Sequence, residues 1–167
     1  MKITYSELKE VMFSPFSSHL PDNIQSSFIE AMMNGDEQVE VPSSYHVLVA
    51  NAEAKYTAEK AEQIIRDTEY EEISQHRLSG MEKEGNSDNE GAISEYAVAI
   101  ILGEQSKHNL FHAYAHAYER IIVCLHKAKR FDKEASYIER YLKYDLSEAT
   151  RSKYSTRLEK LKSKIQQ

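Results

Sequence analysis

Apolar residues recur with the period of an α-helix from residue 43 onward, and this periodicity constrains the fold more than any other feature. The first stripe begins after Ser43 and places Tyr45, Leu48, Ala52 and Tyr56 on one helical face. Five glycines and three prolines are too few for the frequent tight turns of a β-sandwich or barrel. We therefore predict an all-α fold.

Further stripes predict the remaining helices and the turns between them. They cover about residues 92–103, 109–129 and 131–144, and a last helix starts at Ser147. We expect the first helix to break near Asp67, because the following threonine could cap a new helix. Residues 84–89 (EGNSDN) are predicted to form a turn. Helices joined by loops this short favour antiparallel hairpins.

The first forty residues have shorter patterns. Thr4 and Glu7 have the spacing of a capping box, which predicts a short helix after Thr4. Pro15 should end this first helix, and Asn34-Gly35 should end a second one. The apolar segment at residues 39–42 is too short to support a sheet by itself. We predict an N-terminal extension at residues 1–42 and a helical repeat-like domain at residues 43–167.

Two segments of the second half share one arrangement of helix, tight turn and a helix that opens with a small residue. One combines residues 81–86 (MEKEGN) with 91–96 (GAISEY), and the other combines 118–127 (YERIIVCLHK) with 131–142 (FDKEASYIERYL). This arrangement resembles the tetratricopeptide repeat, a helical hairpin of about 34 residues. The resemblance implies antiparallel hairpins with a C-terminal capping helix, in a module that binds peptides or protein partners. It implies no catalytic residues.

Three histidines follow one another at helical spacing and raise the question of a metal site. His108, His112 and His116 lie at i, i+4 and i+8, and Glu104 or Glu119 could supply a further ligand. Zinc metalloproteases place a glutamate directly after the first histidine, whereas this chain does not. A helical metal-binding protein or metal-dependent enzyme is therefore the alternative hypothesis, and no cofactor or metal site is predicted.

The preferred hypothesis is a partner-binding surface on the same helix. His112, His116, Glu119 and Arg120 lie largely opposite the apolar stripe, and Tyr114 adds an aromatic side chain of a type favoured at protein interfaces. We predict that these five residues line a groove for a peptide or a partner helix. The chain would then be an interaction module, such as an adaptor or a small accessory or regulatory protein, and not an enzyme.

Charge and hydropathy narrow the expected partners and location. The net charge is −6, which disfavours nucleic acid and anionic membranes because both are polyanions. No apolar run approaches the roughly 18 residues that cross a bilayer, and the first residues lack the apolar core of a signal peptide. We expect a cytoplasmic protein with a protein or peptide partner and no membrane partner.

Overall fold

The computed structural model describes residues 1–165, which form seven α-helices and two short strands. In chain order they are β1 (Lys2–Thr4), α1 (Tyr5–Met12), α2 (Asp22–Asn34), β2 (Gln38–Glu40), α3 (Tyr45–Gly85), α4 (Asn89–Gln105), α5 (Phe111–Lys127), α6 (Phe131–Tyr141) and α7 (Glu148–Ile165), with a 3₁₀ turn at Ser17–His19 between α1 and α2. The all-α prediction is confirmed. None of the helices within residues 1–165 is long and apolar enough to span a membrane.

A two-stranded antiparallel sheet joins the beginning of the chain to the segment after α2. Ile3 of β1 lies opposite Val39 of β2, and both side chains are buried. Strand β2 has only three residues, and its partner strand lies more than thirty residues earlier in the chain. Two local predictions are confirmed here. The Thr4 side chain accepts a hydrogen bond from the Glu7 backbone amide at the start of α1, and Gly35 ends α2 with a left-handed φ of 71°.

Helix α3 is continuous from Tyr45 to Gly85, so the predicted break near Asp67 is wrong. Asp67 and Thr68 are exposed residues inside the helix. Their low helix propensities cost only about half a kcal/mol each. A break would instead leave the backbone groups of two helix ends without intrahelical partners, which costs more.

The chain forms two compact units, Met1–Ile65 and a second unit that begins at Arg66. The sequence-based boundary at residues 42/43 therefore differs from the position at which the packing divides the chain. The first 21 residues of α3 belong to the first unit, and two of them, Tyr45 and Ala52, lie in its core. That core consists of Ile3, Leu8, Leu20, Ile24, Phe28, Ala31, Val39, Val41, Tyr45 and Ala52.

In the second unit, the helices from α4 to α7 each pack against the next along the chain. Small residues bring α4 close to α5, since a Cβ atom added at Gly103 would lie 2.1 Å from the Tyr114 ring. The start of α7 follows the prediction, because the Thr150 amide donates to the Ser147 hydroxyl at 3.3 Å. The core of this unit draws on α3 to α7 and contains Ile73, Ala92, Tyr96, Ala99, Ile100, Leu110, Ala113, Tyr114, Ala117, Tyr118, Ile121, Ile122, Cys124, Leu125, Ile138, Tyr141, Tyr154 and Leu161.

Candidate functional site

An open groove in the second unit is formed by the end of α3, the first half of α4 and one side of α5. Its volume is about 430 Å³. We call it the Glu84 groove, and it is lined by Met81, Glu84, Gly85, Tyr96, His116, Arg120 and Lys127. The lining combines apolar surface with charged side chains, and that combination is typical of sites that hold a polar ligand in a fixed orientation.

Glu84 is the electrostatic centre of this groove. Its carboxylate accepts two hydrogen bonds from the Arg120 guanidinium, through Nε at 3.0 Å and through Nη2, and a third from Lys127 Nζ at 3.1 Å. The hydrogen bonds from Arg120, and to a lesser extent the one from Lys127, lower the pKa of Glu84 to about 2, although partial burial acts in the opposite direction. One carboxylate therefore faces two cations, and a surplus positive charge remains at the groove.

Tyr96 lies in the floor of the groove, and its side chain is fully buried in the core. Its ring packs against Gly80 of α3, where an added Cβ would lie only 2.7 Å from the ring, so the close approach depends on glycine. The hydroxyl donates to Glu84 at 3.2 Å. Burial, helped by the negative charge of Glu84, raises the pKa of Tyr96 to about 12, so this hydroxyl stays protonated and acts as a donor.

His116, which lines the groove, has an unsatisfied polar atom in its ring. Its Nδ1 atom is buried and has no hydrogen-bond partner within residues 1–165. Buried polar atoms in proteins are nearly always hydrogen-bonded, so an orphaned ring nitrogen is unusual.

The structure separates the five residues predicted to bind a partner. His116 and Arg120 line the Glu84 groove. His112 is exposed and stacks on Tyr70 of α3, with 5.5 Å between the ring centroids. Tyr114 and Glu119 face other parts of the helical bundle.

Tyr114 and Glu119 are held by contacts away from the groove. Tyr114 is only 4% exposed, packs on Gly103 and donates a hydrogen bond to the Tyr144 hydroxyl at 3.2 Å. Glu119 accepts a hydrogen bond from the Tyr141 hydroxyl at 3.2 Å, on the side that faces α6. Tyr114 is thus a core residue and offers a partner little surface.

Sequence reasoning missed Glu84, Lys127, Met81 and Tyr96 as members of one site. Glu84 stands 36 residues before Arg120, in a segment predicted only as a turn, and nothing in a sequence of 27 carboxylates singles it out. Lys127 could have been found from its position, because it lies seven residues after Arg120 on the same helical face.

The histidines predicted as possible metal ligands do not converge. His108 lies before α5 begins, and its Nδ1 atom is 2.7 Å from a carboxylate oxygen of Glu69, which also accepts from the Ser106 hydroxyl. These hydrogen bonds, with Ser106 contributing most, lower the pKa of Glu69. Within residues 1–165 no group of three or more His, Cys, Asp or Glu side chains is placed to hold a metal ion.

Cys124 is fully buried beneath the groove side of α5. Burial, reinforced by the charge of Glu84, raises the pKa of its thiol to about 11. The thiolate is the nucleophilic form, so this cysteine is poorly suited to nucleophilic catalysis at neutral pH. It acts as a small apolar residue of the core.

A second ionic cluster ties the last three helices together. Glu134 of α6 is fully buried and accepts from Arg157 of α7 at 2.7 Å, and its other oxygen lies 2.8 Å from His126 Nδ1 of α5. A buried carboxylate is tolerated only when it is paired and hydrogen-bonded. All of its partners come from neighbouring helices, so we assign this cluster a structural role.

Comparisons of this chain with protein-family models, curated proteins and solved structures each returned no match. Its function is therefore inferred from the chemistry of the Glu84 groove.

Proposed function

We propose that this protein is an interaction module that binds an acidic peptide segment or helix of a partner protein in the Glu84 groove. The observation that carries the proposal is the surplus positive charge at an open groove, where Arg120 and Lys127 share the single carboxylate of Glu84. Their side chains remain 35% and 57% exposed, so both can reach a ligand while still paired.

Each part of the lining has a role in such a complex. A ligand carboxylate would take up the unused donors of Arg120 and Lys127, and charge-assisted hydrogen bonds of this kind are the strong ones. Met81, a residue that is 43% exposed, offers an adaptable apolar contact above the buried Tyr96 ring.

We further propose that the hairpins of the second unit are a degenerate form of the tetratricopeptide-like arrangement. Buried Ala92 and Ala135 support this proposal, because small residues at the openings of α4 and α6 allow helices to approach closely. An adaptor role in the cytoplasm is the corresponding proposal for the whole protein.

Affinity capture with variant baits tests the groove. Three baits are immobilised and exposed to lysate of the source organism: the wild-type protein, the variant Lys127→Glu and the matched control Lys133→Glu. Both substitutions reverse one exposed lysine, but only Lys127 lines the groove. A protein that is enriched on wild type and control is then purified, and its Kd is measured by titration calorimetry.

We expect Lys127→Glu to weaken binding of that protein at least tenfold, with Lys133→Glu close to wild type. The His116→Ala variant should weaken it less, since it removes one side chain from the lining without reversing a charge. Equal binding by Lys127→Glu and wild type would place the interface elsewhere. A stoichiometric transition metal in purified protein, lost in His112→Ala, would favour the metal-binding hypothesis instead.

A further inference from the structure

The first unit exposes large apolar side chains that its own core does not use. Phe13 is 75% exposed and Met33 is 78% exposed, and Ile29 and Met32 are each more than half exposed. We call these four residues the Phe13–Met33 patch. Scattered exposed apolar residues need no explanation, whereas a contiguous group of large ones marks an interaction surface.

The four side chains form one surface. Ile29, Met32 and Met33 lie three and four residues apart on α2, so they are neighbours on one side of the helix. Phe13, directly after α1, is joined to them through Phe28, whose ring lies 6.2 Å from it in an edge-on arrangement. Phe28 precedes Met32 by one helical turn.

Three acidic residues lie beside the α2 part of this patch. Glu30 is adjacent to Ile29 on α2, and Asp36 and Glu37 line a cavity of about 520 Å³ together with Met32. All three carboxylates belong to exposed residues. The first 65 residues contain ten acidic residues and four lysines, so the net charge of −6 lies entirely in this part of the chain.

From this combination we propose that the Phe13–Met33 patch binds a basic amphipathic helix of another protein. The apolar face of such a helix would cover Phe13 and the two methionines, and its lysine or arginine side chains would reach the acidic rim. Exposed methionine is suited to this role, because its flexible, polarizable side chain adapts to apolar surfaces of different shape.

Charge argues against the other candidate occupants. A second copy would bring an equally acidic unit against this one, and an anionic membrane would be repelled in the same way. The basic helix α7 of the chain itself is not available, because its apolar residues Tyr154 and Leu161 are buried in the core of the second unit.

Fluorescence anisotropy with designed peptides tests the proposal on the full chain. The probe is a fluorescein-labelled 18-residue amphipathic helix of leucine and lysine, and a leucine–glutamate peptide with the same apolar positions is the charge control. The double variant Phe13→Ser/Met33→Ser removes two apolar side chains of the patch. The double variant Glu30→Lys/Asp36→Lys reverses the charge of two acidic residues at its rim. Val47→Ser is the matched control, since Val47 is also exposed (61%) but lies on α3.

We expect the leucine–lysine peptide to bind wild type and Val47→Ser equally, and each double variant to lose at least tenfold in affinity. The leucine–glutamate peptide should not bind. Equal affinity of wild type and Phe13→Ser/Met33→Ser for the peptide would overturn the proposal. So would a failure of wild type to bind the peptide, whether or not it binds phosphatidylserine vesicles. Lys127→Glu should leave peptide binding unchanged, so failure at this patch is distinguishable from failure at the Glu84 groove.

Discussion

At the scale of single residues, Glu84 is a partly buried carboxylate that pairs with two cations. Replacing Glu84 by glutamine removes the charge that holds Arg120 and Lys127 in place, and we expect a loss of about 1–3 kcal/mol in the free energy of unfolding at pH 7. Urea denaturation followed by circular dichroism measures this loss. Glu90→Gln is the control, because Glu90 pairs with Arg130 as an exposed surface bridge and should matter much less.

The pH dependence of the same comparison follows from the low pKa of Glu84. A carboxylate whose pKa falls from an ordinary 4.5 to about 2 on folding stabilises the protein fully above about pH 4.5. This stabilisation is lost as the pH falls from about 4.5 towards 2, because Glu84 binds a proton in the unfolded chain over this range, whereas the folded protein keeps the carboxylate charged until about pH 2. The stability difference between wild type and Glu84→Gln should therefore shrink at pH 3. An unchanged difference would show that the charge of Glu84 is not responsible.

At the scale of elements, the contact between α4 and α5 depends on the absence of a side chain at Gly103. A Cβ there would lie 2.1 Å from Tyr114, which is itself packed among other aromatic rings, so the helices must move apart. We expect Gly103→Ala to destabilise the protein by about 1–3 kcal/mol. Gly85→Ala is the matched control, since no atom lies within 4 Å of its added Cβ, and it should be neutral or slightly stabilising. Equal effects of the two substitutions in thermal denaturation would contradict this packing.

The apolar stripes of α5 and α6 allow a second test of the same bundle. Leu125 and Ile138 are both fully buried, so truncating either to alanine removes apolar contacts and leaves a cavity. Each variant should lose about 2–4 kcal/mol in chemical denaturation. Ile101, 44% exposed on α4, provides the control, and its alanine variant should stay within about 0.5 kcal/mol of wild type. Denaturation midpoints that do not shift for Leu125→Ala and Ile138→Ala would show that these positions are not core.

At the scale of the whole molecule, the two hydrophobic cores share no residue. The first core ends at Ala52 and the second begins at Ile73. We therefore expect a fragment of residues 66–167 to be helical by circular dichroism and to unfold cooperatively. A fragment of residues 43–167 should gain no stability over it, because residues 43–65 pack with elements that this fragment lacks. Non-cooperative unfolding of residues 66–167 would show that the second unit needs the first.

Local interactions explain why much of the secondary structure could be predicted. The Thr4 cap, the Gly35 stop and the turn before α4 each depend on residues at most four positions apart, so the sequence near them is sufficient. The periodicity of α5 likewise identified the side on which His116 and Arg120 lie. The predicted break in α3 failed because a local capping signal competes with the cost of ending a helix, and spacing alone does not weigh the two.

The sequence by itself determined the helical class, the caps and the amphipathic faces, since these follow from backbone geometry and from side chains within one turn. Only the tertiary structure decided which faces meet. It brought Glu84 to Arg120, buried Tyr114 and left Phe13 exposed beside Met33. Such contacts join residues twenty or more positions apart, and chains with the same local patterns could pair them differently. The free energy of packing determines which of those pairings forms, and it cannot be derived from local sequence patterns.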